Sequence, residues 1–176
     1  MSRLVPRQPV PDLALPSVDG DTWRLGERKP AHFSMLVFYR GLHCPICKAY
    51  LRDLDRRVGD FAARGVEAVA ISCDSGGRAA EAKTGWHIEE LTIAHDLSID
   101  EARQWGLYIS SGIGKTSTGL DEPALFCEPG LFLVRPDRSL YAANIITMPF
   151  ARPDFAAIDA ALERIIARDY PARGEA

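Results

Sequence analysis

The seven residues FSMLVFY, Phe33 to Tyr39, form an unbroken apolar run of strand length, and a CPIC sequence begins just beyond them at Cys44. A strand exposed on one face would alternate apolar and polar residues. One that does not belongs in the middle of a sheet covered on both sides. After the cysteines the period changes. Ile46, Tyr50, Leu54, Val58, Phe61 and Ala62 recur at helical spacing, with Arg52, Asp53, Arg56 and Arg57 between them, and the pattern stops near Gly65. VEAVAIS (66–72) is then a second buried strand.

The same alternation continues to the end of the chain. GGRAAEAKTG predicts a short helix closed by glycine and ELTIAHD a short strand. SIDEARQWG predicts a helix capped by Ser98, with Glu101 three residues on. Upstream, LALPSVDGDTWRL places two short apolar stretches around the turn VDGD, a hairpin. Downstream, GLFLV and LYAANII flank the turn RPDRS as a second hairpin. A last helix carries Phe155, Ile158, Leu162, Ile165 and Ile166 on one stripe. The segment between, LYISSGIGKTSTGLDEPALFC, is polar and glycine-rich and reads as an irregular loop, a candidate lid over the cysteines. Its GIGKTS invites a phosphate-loop reading, but the motif needs glycine where Ile109 stands. The expectation is an α/β fold: a mixed central sheet with helices on both faces and an N-terminal β-hairpin extension, one domain over residues 1–176.

Composition narrows the partners. Lys and Arg total 21 against 24 Asp and Glu, a net charge of −3 with no block of like charge. Neither nucleic acid nor an anionic membrane is called for. The opening MSRLVPRQPVPDLALP is broken by prolines and has no apolar core, so neither a signal peptide nor a membrane anchor is expected and a cytoplasmic location follows. In a reducing compartment a close CxxC binds metal or cycles between redox states rather than serving as a permanent staple.

Three readings of Cys44 and Cys47 stand side by side: a redox couple, half of a zinc site, and two packed thiols. Zinc needs two further ligands with close spacing, and Cys73, Cys127, His87 and His95 are each isolated in sequence. The redox reading has a mechanism. A thiolate, not a thiol, attacks disulfides and peroxides. At the start of a helix Cys44 faces unpaired N–H groups and the positive end of the dipole, with Pro45 at the first helical position. Such sites bring a cysteine from about 8.5 into the range of roughly 3.5 to 7.5. Cys47, one turn further in, is placed to resolve. Arg40 either lends positive potential or is a solvated loop residue. His43 either polarises Cys44 or fills space. Cys73 reads as a small hydrophobe at a strand end, and Cys127 is left open between bystander and participant. One disulfide, Cys44 to Cys47, is the expectation.

These residues also carry a resemblance. A strand delivering CxxC to a helix resembles the thioredoxin fold, and PVPDLALPSVDGDTWRL, FYRGLHCPIC, VAISCDS and LFLVRPDRSLYAA resemble the peroxiredoxin-like branch, the alkyl hydroperoxide reductase and thiol-specific antioxidant family. The resemblance implies a thiol-dependent oxidoreductase acting on disulfides or hydroperoxides. Cys44 would attack and Cys47 resolve, with Arg40, His43, Pro45 and Pro129 supporting, no bound metal or cofactor, and an external dithiol such as a thioredoxin- or glutathione-like reductant restoring the pair. Related folds often pair through sheet edges or loops, which makes a homodimer an expectation. Pro129 stands where thioredoxin folds carry a cis-proline facing the CxxC. Gly41 stands where peroxide-reducing relatives carry threonine or serine, and Pro129 where they carry arginine, so the expectation leans toward dithiol exchange. The alternatives are a dedicated thiol peroxidase and a non-catalytic or zinc-stabilised domain.

Overall fold

The computed structural model describes residues 4–176; residues 1–3, at the head of the proline-broken opening segment, lie outside it. Two short strands, β1 (Ala14–Pro16) and β2 (Thr22–Arg24), form the expected antiparallel hairpin. The chain then alternates: β3 (Phe33–Phe38), α1 (Pro45–Ala63), β4 (Val66–Ile71), α2 (Gly76–Trp86), β5 (Thr92–Ala94) and α3 (Ile99–Gln104). A second hairpin, β6 (Ile109–Ser111) and β7 (Leu125–Cys127), is followed by β8 (Gly130–Val134), β9 (Leu140–Ile145) and α4 (Phe155–Ala167).

Five strands make the central sheet in the order β5-β4-β3-β8-β9. β3, β4 and β5 run parallel, and β8 is antiparallel to both β3 and β9, so the sheet is mixed. β3 lies at its centre with all six residues buried, as its unbroken apolar run requires. Alternate residues feed two cores. Phe33, Met35, Val37 and Tyr39 point to the side covered by α1, α2 and α4, where Cys44 and Cys47 also pack. Leu36 and Phe38 point to the other side, covered by the β1–β2 hairpin and α3 with Trp105. Helices therefore cover both faces. Truncating a residue such as Leu54, fully buried between α1 and the sheet, costs about 2–5 kcal/mol.

The capping box predicted for α3 is present: Ser98 Oγ accepts from the Glu101 N–H at 3.1 Å, and Glu101 Oε2 accepts from the Ser98 N–H at 2.9 Å. Three expectations need correction. The buried face of α1 runs through Cys47, Leu51, Leu54 and Phe61, while Ala62 is exposed. α2 does not close at glycine but continues through Gly85, ending at His87 in the left-handed region (φ 55°). The added residue, Trp86, is buried against Tyr39, ring centroids 6.1 Å apart, which outweighs the weak helix preference of glycine. Residues 109–127 are not wholly irregular: Ile109 pairs with Cys127 and Ser111 with Leu125, because Phe126 and Cys127 are drawn into the interior. Among the described residues no helix is long and apolar enough to cross a membrane.

Candidate functional site

The loop from β3 into α1 is short, and one buried carboxylate shapes it. Asp74, three residues past the end of β4, accepts from the Leu42 N–H at 2.7 Å and from Arg78 Nε at 2.9 Å. Gly41 crosses in front of it with φ +129°. The chain then delivers Cys44 as the N-cap of α1, with Pro45 at the first helical position and exposed.

At that N-cap Cys44 Sγ accepts a hydrogen bond from the Cys47 N–H at 3.2 Å. The Cys47 thiol bonds the same sulfur, and this bond is the largest influence bringing Cys44 down from the ordinary thiol range to about 7. The Cys47 backbone N–H and the charges of Arg40 and Arg152 act in the same direction, against the burial of the site. Cys47 moves the opposite way. It is fully buried, and burial first, then the neighbouring sulfur, hold its thiol well above the usual range. With a pKa of about 7, Cys44 carries a substantial thiolate fraction at neutral pH, while burial favours the protonated form of Cys47 beside it. The arrangement sets a more acidic thiol beside a less acidic one within hydrogen-bonding reach of the same helix start.

Arg40 is anchored, not solvated. Its Nη2 lies 3.1 Å from Glu122 Oε1 and its Nε 3.6 Å from Glu128 Oε1, and its guanidinium stacks over the Phe126 ring at 4.7 Å. The 112–124 loop thus reaches the site through Glu122. His43 is brought beside Cys44 but makes no bond there: among the described residues neither ring nitrogen has a partner. Burial keeps the imidazole below its ordinary pKa, and the ring packs at a steep angle against Phe126, 4.7 Å between centroids. Of its two readings, filling space fits.

Pro129 departs from expectation. No cis peptide bond occurs among the described residues. The trans chain is continuous with its neighbours: the Glu128 N–H is bound to the Tyr108 carbonyl at 2.7 Å, and the Pro129 carbonyl accepts from the Ile146 N–H at 2.9 Å. The Glu128 N–H and the Pro129 carbonyl are thus both taken up by pairing within the chain. Cys73 and Cys127, isolated in sequence, meet in space. Cys127 is fully buried on β7, and partly exposed Cys73 packs against the same core cluster, where each thiol shifts the acidity of the other. Among the described residues no group of three or more His, Cys, Asp or Glu side chains is arranged to hold a metal ion.

The AhpC/TSA family model matches residues 6–143. The chain belongs to the AhpC/TSA family. No curated protein matches it. Among solved structures, this AhpC/TSA protein resembles the peroxidoxin BcpB of Mycobacterium tuberculosis, with 20% identity, a TM-score of 0.70, and 94% of this chain and 99% of that one covered. It resembles AhpC of Enterococcus faecalis at 14% identity and a TM-score of 0.73, covering 95% and 97%. A putative thiol:disulfide interchange protein DsbE of Chlorobium tepidum is similar at 23% identity and 0.64, covering 94% and 97%. These likenesses fix the AhpC/TSA protein as a peroxiredoxin-like thioredoxin fold, as its motifs implied.

Several residues of the site escaped sequence reading: Asp74, Glu122, Glu128 and Arg152. Asp74 alone carried a signal, as a charged residue just past the C-terminal end of a buried strand, where α/β sheets collect functional groups. Glu122 and Arg152 arrive from loops remote in sequence, and nothing in their local pattern marks them.

Proposed function

We propose that this protein is a thiol-dependent oxidoreductase in which Cys44 attacks and Cys47 resolves. Family membership supports a thiol-dependent peroxidase or oxidoreductase in general. The observation that carries the finer reading is the hydrogen-bonded pair itself, one sulfur held near neutral pKa and its partner held protonated.

With a disulfide, the Cys44 thiolate attacks one sulfur, a Cys44 mixed disulfide forms, and the other half leaves as a thiolate. Cys47 then gives up its proton and attacks Cys44 Sγ. The second half of the substrate is expelled and a Cys44–Cys47 disulfide remains. With a hydroperoxide, the first step transfers one oxygen to sulfur, giving a sulfenic acid and an alcohol, and Cys47 closes the disulfide with loss of water. An external dithiol returns both thiols to the reduced state.

Cys44 is only 3% exposed, so a small disulfide or hydroperoxide suits it better than a folded protein disulfide. Between these, small disulfides are the first reading, because Gly41 leaves no side chain where a peroxide-binding hydroxyl is expected. Family membership itself favours hydroperoxide as the second. The experiment is one coupled assay in which the reduced protein turns over hydroxyethyl disulfide and hydrogen peroxide, alongside Cys44→Ser. Disulfide turnover that vanishes in the variant is expected. Equal turnover by Cys44→Ser would defeat the assignment.

A further inference from the structure

The four cysteines fall into two pairs. Cys44 and Cys47 pack in the core on the α1 side of the sheet. Cys127 packs in the core on the opposite side, with Cys73 against it. The second pair is assembled by tertiary structure alone: Cys73 follows the end of β4, and Cys127 ends β7 in the separate β6–β7 hairpin. Cys127 Sγ is fixed further by donating to the Tyr39 carbonyl at 3.6 Å, at the end of the central strand.

This pair repeats the asymmetry of the first. Cys73 is held below the usual thiol range, chiefly by the neighbouring Cys127 side chain, and Cys127 well above it, by the neighbouring Cys73 sulfur and by full burial. Their exposures differ in the same sense. Cys73 is partly exposed, whereas Cys44, Cys47 and Cys127 are 3%, 0% and 0% exposed. A small electrophile from solvent therefore meets Cys73 before any other thiol, with a second thiol in the core cluster it packs against. Tyr39 ties the two positions together: its N–H donates to the Ile71 carbonyl at 2.9 Å, two residues before Cys73, and its own carbonyl accepts from Cys127 Sγ.

We propose that Cys73 and Cys127 form a second dithiol couple, which closes to an intramolecular disulfide by exchange with a low-molecular-weight disulfide at Cys73. The Cys73 thiolate attacks one sulfur of the small disulfide, forming a mixed disulfide and releasing one thiol. Cys127 loses its proton, attacks Cys73 Sγ, and expels the second half as a thiol. Both electrons come from the two protein thiols, and their two protons end on the two released molecules. Cys73 selects the oxidant by its exposure, and Cys127 makes the product internal, so the exposed thiol does not stay blocked by a small molecule.

The test uses the full chain carrying Cys44→Ser and Cys47→Ser, so its outcome is independent of the CxxC chemistry proposed above. The reduced variant is incubated with glutathione disulfide and read by intact mass and non-reducing peptide mapping. Both remaining thiols should disappear, both halves of the glutathione disulfide should appear as free thiol, and a Cys73–Cys127 cross-linked peptide should form and vanish with dithiothreitol. Adding Cys127→Ser should arrest the reaction as glutathione on Cys73. A folded variant whose thiols both stay free, or that stops at glutathionylated Cys73 with Cys127 intact, would overturn the proposal. Should the double variant not fold, the wild-type chain is oxidised in the same way and mapped; Cys73 and Cys127 both alkylated as free thiols would count equally against it.

Discussion

The Asp74 carboxylate occupies the space a side chain at position 41 would need: a Cβ built on Gly41 would lie 2.7 Å from Asp74 Oδ2, at a backbone φ of +129°. That relationship explains a departure from the peroxide-reducing pattern. Asp74 holds the loop by accepting from the Leu42 N–H, and the loop aims Cys44. Gly41 and Asp74 form one device, so the threonine or serine of peroxide-reducing relatives does not fit beside it.

Gly41→Thr should therefore destabilise the fold instead of creating a better peroxidase. A β-branched residue forced to positive φ costs about 1–3 kcal/mol, and the contact with Asp74 adds to it. Chemical denaturation should show a lower midpoint, with peroxide turnover no higher than in the parent. An unchanged midpoint with increased peroxide turnover would refute this account of the loop.

The acidity of Cys44 predicts a pH profile. Its folded pKa is depressed to about 7, so the reactive thiolate accumulates as pH rises and is lost as pH falls below that value. Iodoacetamide labelling of Cys44, followed by peptide mass, should rise through a midpoint near pH 7 and level off above it. Cys47→Ala removes the hydrogen bond that contributes most to the shift, so its midpoint should move upward. A midpoint in the ordinary thiol range for the parent would remove the physical basis of the attacking role.

How much of this was legible in the sequence depends on the range over which each feature is written. FSMLVFY announces a central strand because all its neighbours are apolar, and the Ser98–Glu101 box announces a cap because both halves lie within one turn. Cys44 and Cys47 are likewise three residues apart, and the helix period brings them together. The β6–β7 hairpin was missed because its paired residues, Ile109 and Cys127, are separated by a glycine-rich loop and each strand has only three residues. Arg40 and Glu122, or Cys73 and Cys127, meet only when distant elements dock. The Pro129 reading failed for a similar reason: the groups that occupy its flanking backbone, Tyr108 and Ile146, come from elsewhere in the fold.

The Arg40 cluster should behave as one unit. Glu122 is 5% exposed at its side chain and Glu128 14%, and the guanidinium is the cation that both face. Arg40→Met should lower stability by about 1–3 kcal/mol by removing the charged partner of two largely desolvated carboxylates, which keep only the Ile113 N–H and the Ser110 hydroxyl. Combined with Glu122→Gln the loss should fall short of the sum, with a coupling of about 0.5–3 kcal/mol in a double-mutant cycle read by denaturant unfolding. Strict additivity would mean that the pair is not energetically linked.

Cys47→Ser separates the two oxidants that Cys44 could serve. Serine still offers an O–H to Cys44 Sγ but cannot resolve a disulfide, so whatever first adds to Cys44 should remain there. If small disulfides are the native oxidant, equal exposure to hydroxyethyl disulfide and to hydrogen peroxide should leave mainly a mixed disulfide on Cys44. If hydroperoxide is native, the same exposure should leave sulfenic acid, advancing to sulfinic acid as peroxide increases. The missing side chain at Gly41 favours the first outcome, since nothing at that position holds a peroxide oxygen toward the sulfur. Intact-protein mass spectrometry at early times decides between them: rapid sulfenic acid at micromolar peroxide with negligible mixed disulfide would reverse the order of the two substrates while leaving Cys44 as the point of attack.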